Sequence, residues 1–568
     1  MSCERTYMGE EMTEGPLGSR RGSVQYSEEG ECGDCLVNIS KACISTSPKL
    51  NVWSALEQAA KHRRKRSKMT SAEKKLHDGP PSGCFGYLAW GCLLFMIGVA
   101  SLIWTPFAFL MNERLRMVKG LPAYDWWRVP PDEVMLRVYA FNYTNTEEFM
   151  NGQADKLKVQ ELGPYIFMEK LYHENPVFHD NGTMTYTAIR KAIYLPERNT
   201  LPLNDSIIAP NLALLAAASF LSDAAYIAKF GFKMLASQKK SQPFVKTNIW
   251  DYFWNVSDPL FHSMRSIAPT LVPTVNGGIL HQVYRDFTDN VTVFTQPSNG
   301  DFNFFKLDQY NGSPRLNKYD NATCDSIQGS TEGIHYHQFV KKTDTVFYLR
   351  KTICRAVPLY FKREQVVRGM TAYRFELPNT TFSRPTNPEE ECYKDPTYPL
   401  LPEGLTDISP CYFGMPIATS FPHMMHATTS ATDRLEGMSP DYEKHGSVAV
   451  IEPYTGIPLT AWARSQSNLY MHDMNWYPKL KRFSNMPLPM FWLEYKQEGL
   501  PNYIFYTMYF AVNIVRPFQM YFSIGILALG AALYLVAFRR IWNRHFSVPV
   551  KKYAPVHENS EPTSVSSS

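Results

Sequence analysis

FGYLAWGCLLFMIGVASLIWTPFAFLM, residues Phe85 to Met111, holds 27 residues and no formal charge. As a helix at ~1.5 Å per residue it exceeds the ~30 Å hydrocarbon core of a bilayer, so it predicts a membrane span. Shortly before it lies KHRRKRSK, Lys61 to Lys68, with six formal positive charges in eight residues. Near the other end, PFQMYFSIGILALGAALYLVAF, Pro517 to Phe538, gives 22 uncharged residues and is followed by the basic RRIWNRHF. Both basic runs sit on the terminal sides of the apolar stretches. An excess of Lys and Arg marks the cytosolic flank of a span. Both chain ends are therefore expected in the cytosol, with everything between them outside the cell or in a lumen. KHRRKRSK then reads as a topology marker drawn to anionic headgroups rather than as a nuclear address. A cleaved signal peptide fits poorly. The apolar stretch starts 84 residues in, is too long for a signal core, and has no small-x-small site behind it.

Working outward, the expected order is a cytosolic N-terminal tail over 1–84, a first span over 85–111 and an outside domain over 112–516. A second span over 517–538 and a cytosolic C-terminal tail over 539–568 complete it. Before residue 112 there are 13 Lys+Arg against 11 Asp+Glu, after 538 there are 5 against 2, and the middle balances at 40 against 40. That neutral middle gives no electrostatic case for nucleic-acid binding. Aromatics at 14% and forty prolines favour strands and ordered loops over helical bundles. Leu201 to Phe232 is rich in apolar residues, but its best run is about fifteen residues long and holds Pro210 and Asn211. That is short for a crossing, so it reads as buried helix. Gly499 to Val515 is uncharged and reads as a surface helix leading into the last span.

Asn-x-Ser/Thr sequons in the outside segment start at Asn142, Asn181, Asn204, Asn255, Asn290, Asn311, Asn321 and Asn379. Acceptors must lie on luminal surface loops, so their clustering here agrees with the topology. Asn311 is the weakest, because Pro314 follows its serine; Asn38, in the tail, should stay bare. Four cysteines lie outside, Cys324, Cys354, Cys392 and Cys411, and their spacing leaves three pairings open. The lone CxxC at Cys32–Cys35 has no second pair at zinc spacing. Cys84, beside the first span, is the candidate for palmitoylation. YAPV, Tyr553 to Val556, has the form of a tyrosine-based sorting signal that an endocytic adaptor would read.

Strands are expected at Glu133–Thr144, Val291–Gln296, Thr345–Arg350 and Met370–Leu377, all rich in Val, Tyr, Phe and Thr. Helices are expected between Ala209 and Asp258, and the proline-rich stretch from Arg384 to Pro410 reads as a long loop stapled by Cys392 and Cys411. No HExxH, GxSxG or phosphate-binding glycine loop occurs, so neither an enzyme nor a cofactor or metal site is expected. His335 and His337, read as one strand face, and His423 and His426, three apart, lack a third ligand and read as structural.

Several blocks resemble one family. RVYAFNYTNTEEFMNG and then KVQELGPYIF (Lys158–Phe167) look like a strand ending in Asn and a Gly-Pro-Tyr turn into the next. APNLALLAAASFL (Ala209–Leu221), WNVSDPL (Trp254–Leu260), DISPC (Asp407–Cys411), SFPHMMHA (Ser420–Ala427) and VIEPYTGIPLTAWARSQSNL (Val450–Leu469) follow in order. Together with the two spans they resemble the class B scavenger receptor family over roughly residues 85 to 540. That family includes fatty acid and high-density lipoprotein receptors, a lysosomal integral membrane protein and insect sensory-neuron membrane proteins. The resemblance implies an α+β membrane protein in which two transmembrane helices flank a large β-rich ectodomain. An antiparallel barrel core, an apical helical bundle and an apolar tunnel are its expected parts. It also implies the pairs Cys324–Cys392 and Cys354–Cys411, and lipid, lipoprotein or polyanionic ligands met at the apex. There Phe220, Phe230 and Phe232 would line an entrance, with Lys239 and Lys240 facing anionic ligands. A homo-oligomer is compatible with it. GSTEG (Gly329–Gly333) stands where the family has a GTDG-like stretch, a close-spaced extra cysteine pair is missing, and the N-terminal tail is long.

Three other readings share the topology. One is a lysosomal or endosomal protein carrying cargo or hydrolases. Another is a trimeric two-span ligand-gated channel, although such channels usually carry ten or more outside cysteines against four here. The third is a membrane-anchored ectoenzyme, which hydrolysis by the purified ectodomain would support.

Overall fold

The structure is a computed structural model. It describes Lys61 and residues 82–546, except 115, 132–133, 271, 275, 286–287, 296–302 and 385–400. Cys392, Tyr553, Val556 and nearly all of KHRRKRSK lie outside the described residues. The chain divides into two units: the described parts of 1–92 with 531–568, and 93–530.

Among the described residues, two helices are long and apolar enough to cross a membrane, Cys84–Ile103 and Asn502–Asn543. The first helix, α1 (Ser82–Ile103), stops eight residues before the end of the apolar stretch, and α2 (Pro106–Arg114) follows. Proline causes the break. Its ring fixes φ and it has no N–H to give to the previous turn, but it is well suited to open a helix. Phe107, next in α2, donates its free amide to Gln519 Oε1 at 2.9 Å. The two apolar helices meet closely in the 93–530 unit: Ser101 Oγ donates to Ser523 Oγ at 2.7 Å, and a Cβ on Gly98 would lie 2.7 Å from the Leu527 side chain. Small residues at the contact permit that approach.

Among the described residues, seventeen strands follow α3 (Pro122–Arg128). In chain order they are β1 (Val134–Tyr143), β2 (Leu157–Phe178), β3 (Thr183–Tyr194), β4 (Ser206–Pro210), β5 (Phe244–Asn248), β6 (Thr288–Phe294), β7 (Leu307–Tyr310), β8 (Ser330–Thr331) and β9 (Thr345–Arg350). Then come β10 (Arg355–Val367), β11 (Met370–Glu376), β12 (Thr406–Asp407), β13 (Ile417–Ser420), β14 (Leu435–Glu436), β15 (Val448–Ile451), β16 (Pro458–Met471) and β17 (Met486–Gln497). Fifteen belong to one sheet, whose main path runs β7-β6-β3-β2-β1-β17-β16-β15-β11-β10-β9-β8. Most pairs are antiparallel; β8 with β9 and β14 with β2 are parallel. The sheet curls into a nearly closed barrel. Glu332, just past β8, accepts hydrogen bonds from Tyr186 and Arg190 of β3, near the opposite end of the path.

The expected Gly-Pro-Tyr turn is not a turn. β2 runs 22 residues straight through it, and the register with β1 shifts between Val138 and Ala140. Pro164 has no N–H for the ladder, and a Cβ on Gly163 would lie 2.8 Å from Val138 O. The strand absorbs both as a bulge. His335 and His337 likewise lie in irregular chain, not on a strand face.

β16 spans 14 residues, about 45 Å at ~3.3 Å per residue. Its Pro458 end lies beside Gln497 and so beside α9 (Asn502–Tyr509), while its Met471 end lies beside Met486. The segment expected as a surface helix leading into the last span is continuous with it. α9 passes through a π turn at Phe510–Val515 into α10 (Arg516–Phe546).

Candidate functional site

The helical segment after β4 is set up by its polar punctuation. Asn211 caps α4 (Leu212–Phe220), its Oδ1 accepting the Leu214 amide at 3.1 Å. Asp258, from WNVSDPL, caps α7 (Pro259–Ile267) by accepting the amides of Leu260 at 2.7 Å and Phe261 at 3.1 Å. Side-chain oxygens at these positions satisfy the otherwise unpaired first amides of a helix. The two caps also join, Asn211 Nδ2 donating to Asp258 Oδ2 at 3.3 Å, which ties the start of α4 to the start of α7. Ser219 locks the far end of α4 onto β16: its hydroxyl donates to Tyr470 O and accepts the His472 amide, both at 2.9 Å. α5 (Tyr226–Gln238), α6 (Ile249–Trp254) and α8 (Ile279–Arg285) complete the bundle.

Between α4, α5 and α7 lies a cavity of about 500 Å³. Its volume falls in the range of small-molecule sites. Leu214, Leu215 and Ala218 turn into the core, while the alanines at 213, 216 and 217 leave space toward the cavity. Phe261 and Met264 of α7 line the other side. The floor is the loop Tyr412–Met415, held by the Cys354–Cys411 disulfide and by the Tyr412 hydroxyl donating to Thr352 O at 2.6 Å. Apolar side chains so arranged suit a hydrocarbon ligand, since burying each CH₂ is worth ~0.8 kcal/mol.

The expected entrance residues separate. Phe220 and Phe232 line the cavity, whereas Phe230 points outward, 53% exposed and stacked on Tyr226. Lys239 and Lys240 are exposed past the end of α5, where cations suit the helix dipole, and they do not line the cavity. Of the eight sequon asparagines, Asn142 and Asn321 are half-buried and the other six exposed. Cys84 is buried in the first turn of α1 and Cys92 is exposed. Cys324 is disulfide-bonded, and its expected partner Cys392 lies outside the described residues.

Two further cavities lie among the described residues of the barrel and below it. Inside the barrel lies one of about 120 Å³, with an apolar wall that includes Val357, Leu359 and Val448 and a charged wall of Glu169, Arg190, Glu332 and Arg350. A smaller one, about 50 Å³, lies among α3, α9 and Phe305 and shares Pro130, Ile334 and Gln497 with the barrel cavity. The charged wall was not read from the sequence, because its members are scattered over 180 residues and only barrel closure unites them. Among the described residues no His, Cys, Asp and Glu grouping could hold a metal ion.

Other histidines are buried away from the bundle cavity. His423 Nδ1 accepts the Ser439 amide at 3.1 Å, so its Nε2–H donates to Glu161 Oε2 at 2.6 Å. His445 stacks on it at 4.6 Å, and burial, then the neighbouring His423, pushes His445 down to about 4. Burial also pushes His335 down to about 4. Both are held neutral by the fold and charge at 6.5 when unfolded. Their contribution is thus complete above pH 6.5 and lost as pH falls toward 4, at about 1.4 kcal/mol per pH unit for each. Glu452, pushed up by burial, changes in the opposite sense, so the difference between variants is the useful quantity. Between pH 6.5 and 5 the unfolding free energy should fall by about 2 kcal/mol more in the wild type than in His445→Asn, read from urea melts. Equal slopes would show that His445 already carries its proton in the folded protein.

The sequence matches the CD36 family over residues 89–541. Scavenger receptor class B member 1 of Sus scrofa is 26% identical over 454 residues, covering 78% of this chain and 87% of the relative. Lysosome membrane protein 2 of Rattus norvegicus is 28% identical over 410 residues, 71% and 83% of the two, and that of Homo sapiens is 28% identical over 387 residues, 68% and 79%. The family match takes in both apolar helices, the barrel and the helical bundle with its cavity, and the chain therefore belongs to the CD36 family.

Proposed function

We propose that this protein is a class B scavenger receptor that captures lipid-type or lipoprotein-borne ligands at the helical bundle and passes them through the barrel toward the membrane. The single observation that carries this is the apolar cavity of about 500 Å³ at the bundle. A sixteen-carbon chain crossing water would expose roughly 12 kcal/mol of apolar surface, which a sheltered path removes. The barrel and lower cavities lie along the axis from the bundle to the segments entering the apolar helices, and opening of the walls between them would complete the path. Both tails lie in the cytosol and the sequons on the far side in this reading, supported by the basic flanks of the two apolar stretches. Residence is at the cell membrane, with endosomes and lysosomes as the alternative.

Gly231 supplies the test. It lines the cavity, and a Cβ there would meet nothing within 4 Å. Gly231→Phe can therefore fill space without displacing backbone, and it removes a glycine from a helix interior. Cells expressing the full chain should take up a fluorescent fatty acid or lipoprotein lipid, and Gly231→Phe should lower that uptake several-fold at equal surface level. Full uptake by the variant, or a wild-type protein that yields no lipid on extraction and mass spectrometry, would refute the cavity's role. Imaging of the same cells separates surface from lysosomal residence, and protease reaching the tails of intact cells would overturn the topology.

A further inference from the structure

The barrel cavity contains a cation that the fold does not neutralise. Arg190 is engaged twice, by Glu169 at 3.0 Å and Glu332 at 3.4 Å. Each carboxylate has further donors: the Tyr284 hydroxyl on Glu169 at 2.6 Å, and the Tyr186 hydroxyl on Glu332. Arg350, at the end of β9, has no such partner. Only 4% of it is exposed, and among the described residues no carboxylate comes within 4.0 Å of its guanidinium. Its Nε donates to Thr352 Oγ1 at 3.3 Å, its Cζ lies 5.6 Å from the Tyr495 ring centre, and its Nη2 has no hydrogen-bond partner. A buried guanidinium does not shed its proton, so a charge stands here desolvated and incompletely bonded.

The surroundings suggest what would satisfy it. The charged side chains lining the cavity are Glu169, Lys170, Arg190, Glu332 and Arg350. Both carboxylates are taken up by Arg190, so Arg350 has none of its own, and with half-buried Lys170 the lining carries three cations against two carboxylates, an excess that one anion would balance. Facing them is an apolar wall of Val357, Leu359, Val448, Ala449, Ala461 and Trp462. The space beyond continues into the lower cavity through shared Pro130, Ile334 and Gln497, toward α3 and α9. One anionic group beside one apolar wall describes a single-chain amphiphile.

We propose that the barrel cavity binds the anionic head of a single-chain amphiphile, a carboxylate or a phosphate, with Arg350 as its anchor, and that this residue makes the passage favour anionic over neutral lipids. The proposal rests on the lipid-carrying reading above but adds a selectivity that reading does not require. Charge-assisted hydrogen bonds to a buried guanidinium set the expected size of the effect.

The test measures binding of palmitate, lysophosphatidate and hexadecanol to the purified full chain in lipid nanodiscs. Arg350→Gln should weaken the anionic probes by about tenfold to a hundredfold and leave hexadecanol unchanged. The anion weakened more identifies the head group. Without lipid, Arg350→Gln should melt no lower than the wild type, because an unpaired buried charge has been removed. Palmitate should raise the melting temperature of the wild type more than that of the variant. Arg350→Met serves as the second variant, with the same expectations. If either folded variant binds both anions as the wild type does while hexadecanol still binds, Arg350 is not the anchor and the lipid-carrying reading stands. If the wild type binds none of the three probes, both fall.

Discussion

Cys354→Ser is expected to lower the unfolding free energy by about 4 kcal/mol. The disulfide to Cys411 closes a loop with a sequence separation of 57. In the chain-entropy account, freeing a loop of that size restores roughly this much disorder to the unfolded chain. The effect should not be confined to stability. Residues 412–415 form the floor of the large cavity, and without the bridge they are held to the neighbouring chain chiefly by the Tyr412–Thr352 hydrogen bond. The variant should therefore carry less extractable lipid than Gly231→Phe would suggest from volume alone. Urea unfolding under non-reducing conditions checks the first point and lipid mass spectrometry the second. A loss below about 1 kcal/mol would mean that the unfolded chain keeps this loop closed by other contacts.

Arg464→Ala is expected to be comparably damaging for a different reason. Arg464 on β16 faces Glu494 on β17 at 2.6 Å, and Glu494 also meets Arg137 on β1 at 3.2 Å, so one carboxylate joins three adjacent strands. Arg464 also donates to the carbonyls of Gly446 at 2.6 Å and Glu443 at 3.2 Å. Both ion-pair partners are buried. Removing one member of a buried pair leaves the other desolvated, at a cost of about 3–5 kcal/mol. Arg137 remains to Glu494, which places the expected loss near 3 kcal/mol. The pair Arg464→Met with Glu494→Gln should recover part of it, since no unpaired charge then remains. An Arg464→Ala protein that melts like the wild type would show that water reaches Glu494.

Physical range explains how much could be read in advance. The two apolar helices were legible because a span is a local property of composition. Thr345–Arg350 and Met370–Leu377 were legible as strands because β-branched and aromatic residues concentrate there, and the structure places β9 and β11 on those residues to within one position. The Gly-Pro-Tyr bulge was misread as a turn because the same residue types serve both, and only the partner strand decides. The cavity's alanines and Phe232 were within reach of a helix reading; the outward turn of Phe230, two positions away, needed the packing of α5. Arg350 gave no local signal. Its meaning depends on Tyr495, Glu169 and Arg190, brought near by closure of the sheet.

The neighbours of β1 carry a consequence for biosynthesis. Val134 lies opposite Gln497 on one side and Glu169 on the other, so the first strand of the barrel is flanked by the second and the last. A ribosome delivers β17 only after more than three hundred further residues, and until then β1 offers an open edge to any other nascent strand. Folding rate falls as such distant pairings accumulate. Closure of the barrel thus waits for the arrival of β17, and the exposed edge of β1 is where a nascent copy of this domain is most open to mispairing.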